Sequence, residues 1–279
     1  MFRYTILQFY DAEKGSPNFF KLFSEFESQI PSQLRKRFIP PNEMRCELPL
    51  KSKSPELEAA KKRAEELGLE KTHAYEAVYY TKKEQDSALF YMPQFPEPME
   101  LAGDSLREFG TEYQGACEHC HQFGKPVGDV LVDRKYLKKT SIGTFLSSYF
   151  GASYIVSEEV RALIEENSFT GVSFEQEVKD YKGRETGKFY ALTVRNKLPP
   201  LSPEASVIQR NQNSCGHSYL YCESDLMYER VKLENACDFN ITSEWFFYRG
   251  PYLVISNRVK QAFQENKIKV YWYVPVLLI

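Results

Sequence analysis

Apolar and polar residues alternate over Phe2-Arg3-Tyr4-Thr5-Ile6-Leu7-Gln8-Phe9-Tyr10, which predicts a first strand over residues 2–10. Ser16-Pro17 then pairs an N-cap residue with proline at the first helical position. Phe19, Phe20, Phe23, Phe26 and Ile30 follow at spacings that put most of them on one helix face, and Pro31 ends the pattern. Ser54-Pro55 marks a second helix, with Leu57, Ala60, Ala64 and Leu67 on one side and Gly68 as its stop. Its other side carries Lys61, Lys62, Arg63, Glu65 and Glu66 and reads as a solvated face. Residues 74–80 and 88–92 predict strands flanking a polar turn. The run Pro93-Gln94-Phe95-Pro96-Glu97-Pro98 argues against a regular helix or a central strand there, and Leu198-Pro199-Pro200-Leu201-Ser202-Pro203 makes a second break.

The chain also repeats itself. Residues 142–167 align without gaps on residues 241–266, at an offset of 99. Ile142, Tyr149, Gly151, Ser157, Val160, Glu166 and Asn167 match Ile241, Tyr248, Gly250, Ser256, Val259, Glu265 and Asn266. The glycines suit a turn before a strand. Ser157 and Ser256 stand where a helix needs an N-cap. Val160, Leu163 and Ile164 form an apolar stripe that Val259, Ala262 and Phe263 repeat. Asn167 and Asn266 stand at the helix ends, where asparagine tolerates the left-handed conformation. Strands follow at 171–175 and 268–273, so each unit reads strand, capped helix, strand. The expected architecture is α+β. An N-terminal α/β region (1–99) precedes two repeated strand–helix–strand modules with cysteine knuckles (100–197 and 204–279), packed against each other.

Composition changes this picture little. Hydrophobic residues make up 42% of 279, enough for a large core, so disorder is excluded as the main state. The net charge of −2 lacks the basic excess of a nucleic-acid binder, which leaves only local patches such as Arg35, Lys36, Arg37, Lys51 and Lys53. No apolar run reaches the ~20 residues of a membrane span, and the N-terminus does not read as a signal peptide. A cytoplasmic location with reduced cysteines is expected.

Cys117-Glu118-His119-Cys120 is a CxxC sequence. Cys117 precedes Ser157 by 40 residues and Cys215 precedes Ser256 by 41, so Cys215-Gly216-His217-Ser218 stands where a second knuckle would. Cys117, Cys120, Cys215 and His217 could close one tetrahedral zinc site, with Cys222 as a substitute for His217, and Zn2+ is the cofactor the residues favour. Turn thiols without metal, a thioredoxin-like dithiol and, with His121, a c-type haem attachment are the competing readings. Cys46 and Cys237 read as core or loop thiols, and His73 as a structural histidine. There is no Gly-x-Ser-x-Gly, P-loop, HExxH or dinucleotide fingerprint.

Three stretches carry a resemblance: Phe109-Gly110-Thr111-Glu112-Tyr113 before the CxxC, Tyr154-Ile155-Val156-Ser157, and Asn167-x-x-x-Gly171-Val172-x-Phe174. The second copy offers Asp238-Phe239-Asn240, Leu253-Val254-Ile255-Ser256 and Val274-Pro275-Val276. Over roughly residues 100–279 the chain resembles bacterial double-CxxCG proteins, related to the immunity proteins of polymorphic toxin systems. It departs from their pattern at His121, which follows the first knuckle in place of glycine, and at Ser218, which replaces a cysteine. The resemblance implies a non-enzymatic protein that neutralises a cognate toxin by direct contact. Trp245, Phe246, Phe247, Tyr248 and the tyrosine-rich strand at 75–80 are the candidate contacts. A zinc-ribbon adaptor or nucleic-acid binder, and an enzyme with an unrecognised site, are the alternatives.

Overall fold

The computed structural model describes residues 2–10, 17–30, 45–69, 71–95, 112–114, 117, 125–132, 142–147, 151–175, 177–180, 182–205, 207–211, 218–222, 225–246 and 250–279. The fold is mixed α+β, and the chain divides into two compact units, 1–84 and 85–279.

In the first unit, β1 (Phe2–Tyr10) lies between β2 (Arg45–Lys51) and β3 (Lys71–Tyr79), antiparallel to both. Helices α1 (Pro17–Phe26) and α2 (Pro55–Glu66) begin at the two expected prolines. Ser54 Oγ accepts the Leu57 N–H (3.3 Å), and Gly68 takes φ +69° just past the end of α2. Leu7, Phe9, Cys46, Leu48 and Leu50 pack with Phe19, Leu22, Phe26, Leu57, Ala60 and Ala64. Cys46 is a core thiol, as expected, and burial pushes its pKa up to about 12.

The turn expected between residues 80 and 88 is instead a helix, α3 (Lys82–Ser87). Thr81 Oγ1 accepts the Glu84 N–H (3.3 Å) and Glu84 Oε2 accepts the Thr81 N–H (2.8 Å), a capping box that the sequence reading missed. The flanking strands do not pair with each other. β3 pairs with β1, and β4 (Phe90–Gln94) belongs to the second unit.

Apart from a 3-10 turn at Arg230–Leu233, the described strands and helices of the second unit can be read as two passes in the same order. The first pass is β4, β5 (Glu112–Gln114), β6 (Lys125–Val127), β7 (Val130–Val132), β8 (Ile142–Ser147), β9 (Gly151–Ser157), α4 (Glu158–Glu166), β10 (Val172–Ser173) and β11 (Glu177–Asp180). The second is β12 (Glu185–Val194), β13 (Val207–Asn211), β14 (Ser218–Cys222), β15 (Met227–Tyr228), β16 (Phe239–Ile241), β17 (Leu253–Ser256), α5 (Asn257–Glu265), β18 (Trp272–Pro275) and β19 (Leu277–Leu278). β5 pairs antiparallel with β6, as β13 does with β14. β7 pairs parallel with β11, as β15 does with β19.

The strands on either side of each helix pair with the first strand of the other pass. β9 and β10 both pair with β12, and β17 and β18 both pair with β4. The registers agree at the 99-residue offset. Ser157 lies opposite Phe189 and Ser256 opposite Phe90; Val156 lies opposite Tyr190 and Ile255 opposite Tyr91. The β8–β9 and β16–β17 registers differ by two residues.

Residues 93–94, expected to break regular structure, therefore lie inside β4, in a sheet of order β16-β17-β4-β18. Proline is tolerated there for a geometric reason. Val276 N donates to Phe90 O (2.9 Å), so alternation along the β4–β18 ladder puts Pro93 and Pro275 at positions whose N–H would point away from the partner strand. β17 pairs with β4 only at Phe90 and Tyr91, which leaves that side of Pro93 without a ladder to interrupt.

This sheet has core on both faces, which is why Leu253-Val254-Ile255 is a continuous apolar run. Leu253, Ile255 and Tyr91 pack with Val160, Leu163 and Ile164 of α4, Val259, Ala262 and Phe263 of α5, and Tyr154, Val156 and Leu192 of the other sheet. Val254 packs on the opposite side with Leu198, Leu226, Tyr228, Leu233, Phe246 and Val276.

The two helix caps differ. Ser256 Oγ accepts the Val259 N–H (3.4 Å) and donates to Asp238 Oδ1 (2.7 Å). Ser157 caps nothing: its hydroxyl helps hold the Glu159 carboxyl below the usual carboxylate range but reaches no hydrogen-bonding geometry. Ser256→Ala is expected to cost about 1–2 kcal/mol. Ser157→Ala, which removes a buried hydroxyl that caps no backbone N–H, is expected to stay within about 0.5 kcal/mol of wild type. Urea denaturation of both variants checks the pair; equal losses would show that the two caps are equivalent after all.

The helix ends also differ from expectation. Asn167 and Asn266 keep negative φ, and the left-handed residues are the next ones, Ser168 (φ 50°) and Lys267 (φ 56°). The asparagine side chains instead donate back to the Leu163 and Ala262 carbonyls (2.8 and 2.9 Å).

Candidate functional site

Of the four proposed zinc ligands, only Cys117 is described, as a half-buried cysteine. Cys120, Cys215 and His217 lie outside the described residues, as does the alternative donor's side chain at Cys222. Among the described residues no group of three His, Cys, Asp or Glu side chains is placed to hold a metal ion. No helix among them is long and apolar enough to cross a membrane.

Asp238 and Asn240, read from sequence only as part of a pattern, form a polar latch in the second unit. Asp238 is 7% exposed. Its Oδ2 accepts the Thr170 N–H (3.1 Å), the Thr170 hydroxyl (3.2 Å) and Arg258 Nη1 (3.3 Å). Phe239 N donates to Thr170 O (3.0 Å), and Arg258 Nη2 to Asn167 O (3.2 Å). Asn240 is fully buried; its Oδ1 accepts Asn196 Nδ2 (2.6 Å) and the Cys237 N–H (2.9 Å). The segment 237–240 thus covers the loop after α4 at Thr170-Gly171-Val172. All these polar groups are satisfied within the chain, so the latch is structural.

Each helix also presents a cation to two rings. Arg161 lies over Tyr190 (4.3 Å to the centroid) and Phe174 (5.4 Å), and those rings meet edge-on. Ninety-nine residues later, Lys260 lies over Tyr91 (4.1 Å) and Tyr273 (5.9 Å), whose rings also meet edge-on. Lys260 is 5% exposed; its Nζ donates to Gln85 O (2.9 Å) and lies 3.8 Å from Asp86 Oδ1. Neither cage was legible in the sequence, because the tyrosines reach the helices only through the pairing with β4 and β12.

The Lys260 cage shapes the alkaline limb of stability. Burial raises Tyr91 and Tyr273 to about 12, with Asp86 adding to the effect on Tyr91. A phenol raised in the fold contributes its full stability below the ordinary pKa of 10 and loses it between pH 10 and 12. Lys260 has the opposite sign: burial lowers its pKa against the pull of Asp86, so its contribution improves as pH rises through that lowered value towards 10.5. Stability measured in urea is expected to fall between pH 10 and 12 in both proteins, and below about pH 10.5 to rise with pH more in wild type than in Lys260→Met, which lacks the lysine's gain. Parallel pH profiles would contradict this balance.

Of the expected contact residues, Trp245 is half-buried. Phe246 is 1% exposed and stacks on Tyr252 (centroids 4.3 Å apart), so it is core. Phe247 and Tyr248 lie outside the described residues, as do the side chains at 75–79. Instead Tyr271 and Trp272 are 54% and 63% exposed, where the chain enters β18, an edge strand of its sheet. Lys269 Nζ stands 6.0 Å from the Tyr271 ring centre. Tyr271 is held by its N–H to Gln94 O (2.7 Å), and Trp272 pairs with Gln94 across the ladder. An exposed aromatic pair on backbone fixed by a buried sheet is suited to contact a macromolecule.

No protein-family model matches the chain, and a search of curated proteins returns no match.

Proposed function

We propose that the chain is a non-enzymatic binding protein that blocks a protein partner by direct contact, as the immunity proteins it resembles do to their cognate toxins. The observation that supports this reading is the exposure of Tyr271 and Trp272 on an edge strand anchored between two cores. Tyrosine and tryptophan concentrate binding energy because they bury large rigid surfaces at little entropic cost. On this reading the two passes of the second unit are copies of one module, each completed by the first strand of the other, and they form the scaffold that presents the surface.

The test is capture from an extract of the source cell, with the immobilised full chain as bait and a Tyr271→Ala/Trp272→Ala double variant beside it. One protein is expected to be retained near stoichiometrically by the wild type, and its affinity for the double variant to fall about 30-fold or more. Capture of no protein, or equal retention by the double variant, would sink the reading.

A further inference from the structure

We infer that the partner docks through an extended segment carrying an acidic residue, laid over Lys269–Trp272. This rests on the binding-protein reading and names the partner's chemistry. The two passes supply the argument, because one shows covered a loop whose counterpart, among the described residues, is exposed at Lys269, Tyr271 and Trp272.

In the first pass, the loop after the helix is Thr170-Gly171-Val172-Ser173, and it is covered by the extended segment 237–240. The contact has a backbone part, Phe239 N to Thr170 O, and an acidic part, Asp238 to the N–H and hydroxyl of Thr170. In the second pass, the residues 99 positions on are Lys269-Val270-Tyr271-Trp272. The helix ends before the two loops agree: Asn167 and Asn266 bond back to their helices alike, Ser168 and Lys267 share the left-handed conformation, and Ser173 and Trp272 hold matching positions opposite Thr193 and Gln94. The two loops are therefore launched alike.

Their chemistry differs in a directed way. Thr170, which receives Asp238, is replaced by Lys269, which makes no ion pair among the described residues and has only the Tyr271 ring beside it. Lys267 is likewise unpaired among them. Gly171, which lets the covering backbone approach closely, is replaced by Val270, so contact must be made through side chains. Val172 and Ser173 become Tyr271 and Trp272. By sequence, the residue 99 positions before Asp238 is Lys139, a cation and not a carboxylate. A carboxylate on an extended segment supplies the missing group, and the exposed rings supply apolar contact beside it.

The probe is a synthetic peptide with the sequence of residues 235–242, the segment that covers the first loop. Trp272 fluorescence is read as the peptide is titrated into the full chain, with Trp272→Phe as the blank. A saturable change is expected, at least tenfold weaker with a peptide carrying Asp238→Lys and with the Lys269→Glu protein, and weakened by salt. No saturable change up to about 1 mM, or equal responses to the two peptides, overturns the site. The captured partner gives a second arm. A partner held equally by wild type and Lys269→Glu overturns this docking mode while the binding reading stands. Capture of no partner overturns the binding reading, and the titration then decides the site alone.

Discussion

Gly171→Ala is expected to lower stability by at least about 3 kcal/mol, while Gly183→Ala costs only about 1–2 kcal/mol. Both glycines have positive φ, +86° and +74°, so both substitutions carry the strain of a left-handed backbone. They differ in surroundings. A Cβ on Gly171 would stand 2.1 Å from Phe239 O and 2.6 Å from Cys237 Cβ, whereas one on Gly183 meets nothing within 4 Å. Phe239 cannot yield cheaply, because its N–H is bonded to Thr170 O and Asp238 beside it is bonded to Thr170. The methyl therefore pries open the latch. Urea denaturation at unchanged m-value measures both variants. Equal losses would mean that the latch gives way freely and that its hydrogen bonds contribute little.

Cutting the chain between Lys182 and Gly183 should not separate the halves of the second unit. The β11–β12 turn is exposed and tolerates an inserted protease site, provided Asp180 keeps its bonds to the N–H groups of Lys182 and Arg184. After cleavage, β4 on the first fragment still pairs with β17 and β18 on the second, and β12 on the second still pairs with β9 and β10 on the first. The shared core of Tyr91, Val156, Phe239, Ile255 and Phe263 also spans the cut. The fragments are expected to co-elute on size exclusion and to part only in denaturant. Separation in native buffer, with each fragment keeping its circular dichroism, would show that each pass is complete alone.

Much of the local structure was legible. Ser54-Pro55 and Ser16-Pro17 announced helix starts, because proline at the first helical position and a capping oxygen are local chemistry. Ser157 and Ser256 marked both later helix starts, yet only Ser256 works as a cap, since the bond needs geometry that sequence does not carry. The capping box of Thr81 and Glu84 was readable, but the unbroken polar run Thr81–Ser87 resembles a turn. Pro93 was misread for a sounder reason: whether a proline harms a strand depends on which way its absent N–H would point.

The candidate surface was the least legible part. Phe246 and Trp272 are both large aromatics in short apolar runs, and the local pattern around them does not by itself separate core from surface. The distinction comes from distant residues. Tyr252, close in sequence, stacks on Phe246, but Leu198 and Leu226 complete its burial, whereas β18 meets β4 from 180 residues away on one side only.

By itself the sequence determined four helix starts and the apolar stripes of those helices, because these depend on neighbours within one or two turns, and it displayed the ungapped alignment of Ile142–Asn167 on Ile241–Asn266. Only the tertiary structure decided that β4 belongs with β17 and β18, that Arg161 and Lys260 stand over tyrosines, that Asp238 closes one loop, and that Tyr271 and Trp272 stay exposed. Those outcomes depend on which distant strand is hydrogen-bonded to which, and a strand's edges carry the same donors and acceptors whatever its sequence.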